Sequence, residues 1–175
     1  MRKKANSELG RLTADEYGRM EKLPVVVVAD NIRSLHNVGS LFRTCDAFGM
    51  EGIRLCGITA VPPNKEIHKT ALGAEMSVPW QFFRQTTEAL DELKAAGYTL
   101  LAVEQAEESV ALGEFVAQRG EKYALVFGNE VDGVSQQAAD RCDGAIEIPQ
   151  IGTKHSLNVS VAAGVVLWEL FRQLK

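Results

Sequence analysis

The sequence has few of the features that mark secreted, metal-binding or membrane proteins. Its three cysteines are widely spaced and include no CxxC pair, which argues against a disulfide framework and a zinc site and fits a reducing cytoplasm. The three histidines also lack metal-ligand spacing, so we expect no metal. The longest apolar stretch, residues 161–168, contains a glycine and is too short to cross a bilayer. No apolar segment follows the basic first residues, so we expect no signal peptide.

An excess of positive charge is also absent. The 175 residues include 19 Lys and Arg against 23 Asp and Glu, a net charge of −4, although residues 1–22 are net positive. Because a nucleic-acid binder usually has a basic balance, RNA binding here would require a local basic patch. The candidate basic residues are Arg2, Lys3, Lys4, Arg11, Arg19, Arg33, Lys65, Lys69 and Lys154.

What is present is a regular alternation of strand and helix patterns. Short β-branched runs predict buried strands, and apolar residues at helical spacing predict helices between them. We predict strands at 23–29, 52–58, 80–84, 98–103, 123–127 and 145–148, and helices at 38–48, 67–72, 87–96, 135–141 and from about 157 to the C-terminus. The alternation predicts an α/β fold with a mainly parallel sheet and helices on both faces. We divide the chain into an irregular N-terminal extension, 1–22, which is a candidate RNA contact, and one domain, 23–175.

Three polar, glycine-containing segments follow predicted strands, at 30–43, 127–133 and 149–158. In parallel α/β sheets the ligand site lies at the carboxyl ends of the strands. Functional residues are also concentrated in loops that a rigid scaffold positions. These segments are therefore the candidate site.

The second segment has the glycine spacing of a phosphate-binding loop, but its other residues are wrong for that function. Val134 stands where such a loop requires lysine, and Glu130 and Asp132 place carboxylates where phosphates would bind. No predicted strand is followed by GxGxxG, which disfavours a classical dinucleotide-binding enzyme. A glycine loop with carboxylates suits a ligand with donors or positive charge, such as S-adenosylmethionine. An ordinary turn with solvated acids is the alternative.

Taken together, the segments resemble the three motifs of the SpoU/TrmH family of RNA ribose methyltransferases, in the SPOUT superfamily. The matching sequences are NIRSLHNVGSLFRTCD at 31–46, LVFGNEVDG at 125–133 and IPQIGTKHSLNVSVA at 148–162. Their order and spacing agree with the family. The resemblance implies a sheet whose C-terminal part forms a deep trefoil knot, S-adenosylmethionine as cofactor, and a homodimer that packs through the knot and the last helix. The apolar residues of that helix, on more than one face, suit both a core and an interface.

The resemblance also assigns the cofactor-binding residues. Backbone groups around Gly128, Ile148 and Leu157 would hold the cofactor, with Val103 or Glu104 lining the pocket. Plain core packing is the alternative for Ile148 and Leu157.

The resemblance further assigns the catalytic residues Arg43, Asn37, Glu130, Ser156 and Asn158. Arg43 would be the base or, because a guanidinium stays protonated, a clamp that stabilises the developing alkoxide. Asn37 would orient Arg43 and the substrate or, alternatively, cap its helix. Ser156 is a second candidate helix cap, and an ordinary surface arginine is the alternative for Arg43.

The implied reaction is methyl transfer to a ribose 2′-hydroxyl of RNA. The short chain is similar to the transfer-RNA methyltransferases that modify a D-loop guanosine, and ribosomal RNA is the alternative substrate. A non-catalytic relative that binds RNA or cofactor is a second hypothesis, although all five catalytic candidates are present. An unrelated α/β nucleotide-binding enzyme is a third, disfavoured by the missing lysine and dinucleotide motif.

Overall fold

A seven-stranded sheet with strand order β3-β2-β1-β6-β4-β7-β5 organises the structure, and each of its pairings is parallel. The computed structural model describes residues 1–5 and 8–175. The strands are β1 (Leu23–Asp30), β2 (Met50–Cys56), β3 (Trp80–Phe83), β4 (Tyr98–Val103), β5 (Val110–Ala111), β6 (Lys122–Phe127) and β7 (Gly144–Glu147). The helices are α1 (Ala14–Arg19), α2 (Leu35–Phe48), α3 (Lys65–Ala71), α4 (Thr86–Ala95), α5 (Gln136–Ala139) and α6 (Val159–Leu174), with a short 3-10 helix at Ala74–Met76.

The valines of β1 show why the sheet is covered on both faces. Val25 and Val27 belong to the core formed with α2 and α6, whereas Val26 and Val28 belong to the core formed with α4. Successive side chains of a strand point to opposite faces, so a run that is apolar at every position requires two cores. The predicted α/β fold, with a parallel sheet and helices on both faces, is confirmed.

Helix α2 begins one turn earlier than the apolar spacing predicted. The Ser34 side chain accepts a hydrogen bond from the backbone N–H of Asn37 and is the N-cap, and Gly49 ends the helix in the left-handed conformation at φ 64°. Asn37 therefore lies within the first turn, and the alternative that it caps the helix is wrong. Ser156 is likewise not a cap, because Asn158 is the N-cap of α6.

Two further sequence predictions need correction. The extension 1–22 is not irregular throughout, because α1 lies within it, with a capping box between Thr13 and Glu16 and a buried Tyr17; residues 6 and 7 lie outside the described residues. The segment after β4, in which no strand is predicted, contains β5, which pairs with β7. Within the described ranges, no helix is both long and apolar enough to cross a membrane.

Helix α6 is buried on one side and apolar on the other. Val166, Leu167 and Leu170 are fully buried in the core. Trp168 is 51% exposed and stacks on Phe171, which also contacts Phe48 of α2. An apolar strip thus remains uncovered on α6, beside α2.

Candidate functional site

The three predicted segments meet through one hydrogen-bonded chain of side chains. Asn37 Nδ2 donates to Glu130 Oε1 at 2.7 Å, and Asn158 Nδ2 donates to Asn37 Oδ1 at 3.2 Å. Asn158 is itself fixed as the N-cap of α6, because its Oδ1 accepts a hydrogen bond from the backbone N–H of Ser160 at 2.9 Å. One catalytic candidate from each segment therefore joins a single network.

Glu130 is the acceptor at the centre of this network. Its carboxylate also accepts from the backbone N–H groups of Arg33 and Ser34, each at 3.2 Å. Partial burial alone would raise the pKa of Glu130, but the hydrogen bonds from Asn37 and from backbone N–H groups outweigh it and lower the pKa below its usual value. The carboxylate is therefore ionised at neutral pH and fixes the loop before α2 against the second segment.

The loop after β6 closes on itself. Asn129 and Gly133 exchange two backbone hydrogen bonds of 3.1 Å. A Cβ at Gly128 would lie 1.9 Å from the carbonyl carbon of Gly133 and 2.0 Å from the nitrogen of Val134. Both atoms belong to the backbone and cannot yield, so this position admits only glycine. Gly128 thus serves first to let the loop close.

Two carboxylates bind the backbone at the C-terminal end of this loop. Glu104 Oε2 accepts from the backbone N–H of Val134 at 3.0 Å, and Asp30 Oδ2 accepts from that of Ser135 at 2.8 Å. Asp30 is 1% exposed and also accepts from the hydroxyl of Thr86 at 2.5 Å. Glu104, predicted to line the cofactor pocket, therefore also positions the loop. This role of Asp30 is not among the sequence predictions, although a carboxylate that ends a fully apolar strand is the signal for it.

A cavity of about 550 Å³ opens between the second and third segments. Its lining includes all five predicted cofactor-binding residues and three of the catalytic candidates: Val103, Glu104, Gly128, Ile148, Leu157, Glu130, Ser156 and Asn158. Its size lies within the range of small-molecule sites. The lining also includes Asp132 and Glu147, but no lysine or arginine among the described residues. Such walls suit a cationic ligand and oppose a polyphosphate.

Arg43 does not line this cavity. It is exposed on α2, and none of the described residues forms a hydrogen bond or ion pair with it. It lies six positions after Asn37 on the helix, which corresponds to about 9 Å along the axis and about 120° of rotation. The structure therefore brings Asn37 into the network and leaves the Arg43 guanidinium outside it.

The described residues include no group of three or more His, Cys, Asp or Glu side chains placed to bind a metal ion. His155 lines the cavity, and its backbone carbonyl accepts from Gln105 Nε2 at 2.8 Å. Gln105, like Asp30, makes a contact that is not among the sequence predictions. It ties the third segment to the end of β4.

Comparison with known proteins agrees with this arrangement. The model of the SpoU rRNA methylase family matches residues 24–168. A Staphylococcus haemolyticus protein, assigned by name to the TrmH family of tRNA/rRNA methyltransferases, is 34% identical over 153 residues, 87% of this chain. The match covers 60% of that relative, so the chain spans less than two thirds of its length.

Two solved structures share the fold. The TrmH/SpoU tRNA modifying enzyme of A. aeolicus superposes with a TM-score of 0.80 at 31% identity, covering 91% of this chain and 80% of that one. An AdoMet-bound rRNA methyltransferase from Sinorhizobium meliloti superposes with a TM-score of 0.81 at 28% identity, covering 91% of this chain and 60% of that one.

Proposed function

Because the chain belongs to the SpoU rRNA methylase family, we propose that it transfers a methyl group from S-adenosylmethionine to a ribose 2′-hydroxyl of RNA. The observation that carries the proposal is the convergence of three distant segments through Asn37, Glu130 and Asn158, beside one cavity that the second and third segments line. Transfer RNA, at a D-loop guanosine, is the substrate that we propose, and ribosomal RNA is the alternative.

The cavity fits the cofactor chemically. S-adenosylmethionine supplies an electrophilic methyl group on a positively charged sulfur. The carboxylates of Glu104, Glu130 and Asp132 make the walls negative, which favours a sulfonium and an ammonium. Leu157 and Ile148 offer apolar contact, and backbone groups beside Gly128 supply fixed donors and acceptors for the adenosine part.

Arg43 is proposed to act on the RNA. Its guanidinium binds the phosphate next to the target ribose and stabilises charge on the 2′-oxygen as the hydroxyl proton passes to water. Asn37 and Ser156 hold the ribose in line with the methyl–sulfur bond, as direct displacement requires. An arginine that has no partner among the described residues suits a residue whose partner is the substrate.

We also propose that two copies form a dimer through the knot and the uncovered strip of α6. The strip includes Val161, Val165 and Trp168, which are 52%, 40% and 51% exposed. The threading of the knot is supported by the position of the last strand, β7, which lies inside the sheet between β4 and β5. In this proposal, the Arg43 of one copy acts at the cavity of the other.

Methyl transfer tests the proposal. Purified protein is incubated with tritiated S-adenosylmethionine and unmodified transfer RNA or ribosomal RNA, and the labelled nucleotide is identified by mass mapping. We expect label on a ribose of transfer RNA. Cofactor binding without transfer to either RNA would make the protein a non-catalytic relative, and base methylation would contradict the ribose assignment.

Mixed dimers test the contribution of the second copy. Co-expressed chains carry either Arg43→Ala or Gly128→Ala, each of which is expected to inactivate a pure dimer. If Arg43 acts on the partner's cavity, the mixed dimer retains one intact pairing and transfers methyl groups. An inactive mixed dimer, with cofactor still bound, would place Arg43 at its own chain's cavity.

A further inference from the structure

The end of β4 contacts both loops that form the walls of the cavity. Glu104 and Gln105 are adjacent there, and both line the cavity. Glu104 Oε2 accepts from the backbone N–H of Val134, at the end of the second segment, at 3.0 Å. Gln105 Nε2 donates to the backbone carbonyl of His155, in the third segment, at 2.8 Å. Two neighbouring side chains therefore hold the two loops from one point of the sheet.

The third segment depends on this contact more than the second segment does. Residues 149–157 are exposed at every position and belong to no strand or helix. The second loop is closed by two backbone hydrogen bonds between Asn129 and Gly133. In the described parts of the chain, residues 149–157 make one hydrogen bond, the one from Gln105. Because segments with few contacts open at little cost, this bond largely decides where the third segment lies.

The direction of the bond follows from its chemistry. A carbonyl oxygen can only accept, so the atom of Gln105 that faces it is the amide nitrogen. The backbone of Gln105 is itself fixed, because its N–H donates to Glu104 Oε1 at 3.0 Å. The N–H of Glu104 donates to the carbonyl of Ile146 in β7 at 3.1 Å. The donor side of the bond is therefore anchored in the sheet.

The acceptor side of the bond lies beside two residues of the proposed site. The carbonyl of His155 and the nitrogen of Ser156 share one planar peptide group, so a bond to that carbonyl orients the chain where Ser156 begins. Ser156 and Leu157 both line the cavity. Asn158, directly after them, is fixed as the N-cap of α6. Ser156 and Leu157 therefore lie between two anchored points, and Gln105 supplies the first of them.

We propose that Gln105 is a positioning residue for methyl transfer. It holds the third segment in the conformation that places Ser156 and Leu157 at the cavity. It acts through the carbonyl of His155 and does not touch the reacting atoms. The inference rests on the proposed function and deepens it, because the residues that it positions belong to the same site.

Limited proteolysis tests how firmly the segment is held. Lys154 is the only lysine or arginine in residues 149–157, so trypsin cleavage after it reports local opening of this segment. Gln105→Met keeps the length of the side chain but removes the donor. In the absence of cofactor, we expect Gln105→Met to be cleaved after Lys154 about tenfold faster than the unaltered protein, as the loss of one hydrogen bond predicts. Equal rates would overturn the proposal.

Two controls separate local opening from unfolding. Gln118 is exposed and is not among the residues that line the cavity, so Gln118→Met should leave cleavage after Lys154 unchanged. Arg54 lies within β2, and cleavage after it requires the sheet to unfold. The rate after Arg54 should be equal in all three proteins. If Gln105→Met raised both rates by the same factor, the side chain would stabilise the whole fold and the proposal would be wrong.

Cofactor affinity and turnover show whether the segment must be held for function. In Gln105→Met, we expect S-adenosylmethionine to bind about tenfold more weakly by calorimetry, because binding must then also order the segment. At saturating cofactor and RNA, kcat should fall at least about tenfold, because Ser156 is misplaced. A purely structural role would lower the amount of active protein and leave the affinity of that protein unchanged. Faster cleavage after Lys154 with unchanged affinity and kcat would overturn the positioning role.

These measurements also distinguish failure of this inference from failure of the proposed function. Cleavage and calorimetry require no RNA, so they decide the effect of Gln105 on the cavity by themselves. Absence of methyl transfer in the unaltered protein would contradict the proposed function, whatever the variants show. Normal transfer in Gln105→Met would remove Gln105 from the reaction and leave the methyltransferase assignment intact.

Discussion

The first and third turns of α2 hold two polar side chains in opposite conditions. Asn37 is 8% exposed and hydrogen-bonded on both sides, to Glu130 and to Asn158. Arg43 is exposed and has no partner among the described residues. One region is organised before any ligand arrives, whereas the other has its charge available to a ligand. The difference separates the part of the site that the fold holds in place from the part whose charge is left for the RNA.

The largest expected effect comes from breaking the organised region at Gly128. In Gly128→Ala the new Cβ would overlap the backbone of Gly133 and Val134, so the loop cannot close. We expect loss of methyl transfer and S-adenosylmethionine affinity at least about a hundredfold weaker by calorimetry, about 3 kcal/mol. Gly152→Ala in the third segment is the control, because no atom lies within 4 Å of its Cβ position. Unchanged affinity in Gly128→Ala would remove this loop from the pocket.

Arg43→Ala should have an effect confined to catalysis. Because the side chain has no partner in the described chain, we expect the free energy of unfolding to change by less than about 0.5 kcal/mol. Cofactor affinity should stay within about tenfold, while turnover falls at least about a hundredfold. Arg119→Ala, at another exposed arginine, is the control. Equal turnover in Arg43→Ala and in the unaltered protein would refute the catalytic role.

These two residues also show what the sequence could predict. The glycine loop was recognised because its spacing follows a predicted strand, and Arg43 because it stands in a motif. The hydrogen bond of Asp30 to Ser135 joins positions 105 residues apart, and neither periodicity nor a local motif contains that information.

The limits on predicting the fold have a similar cause. β1 is predictable from the sequence because its valines form one continuous run. Such a run by itself indicates a strand that is buried on both faces. β5 has two residues, Val110 and Ala111, too few for any alternation to be visible. It is a strand because β7 lies beside it. The early start of α2 depends on Ser34, a cap whose effect the apolar spacing does not include.

Removing the central amide of the network tests how far it stabilises the fold. Asn37→Ala leaves Glu130 without its shortest hydrogen bond and Asn158 Nδ2 without its acceptor. Both partners belong to exposed residues that water can reach, so we expect a loss in urea unfolding of about 0.5–1.5 kcal/mol, the net contribution of a typical hydrogen bond. His36→Ala, at the exposed neighbouring position, is the control. Equal stability of the two variants would show that the network only orients the site.

The smallest expected effect is the pH dependence of that network. The pKa of Glu130 lies below its usual value of 4.5 in the folded protein, so the folded state binds its proton less readily than the unfolded state does. Its stabilising contribution is therefore complete above pH 4.5 and is lost as the pH falls through the lower folded value. The free energy of unfolding, measured from about pH 6 to about pH 3, should fall more steeply in the unaltered protein than in Glu130→Gln. Parallel curves for the two proteins would mean that the hydrogen bonds to Glu130 do not favour its ionised form, and the organised half of the site would then not depend on that charge.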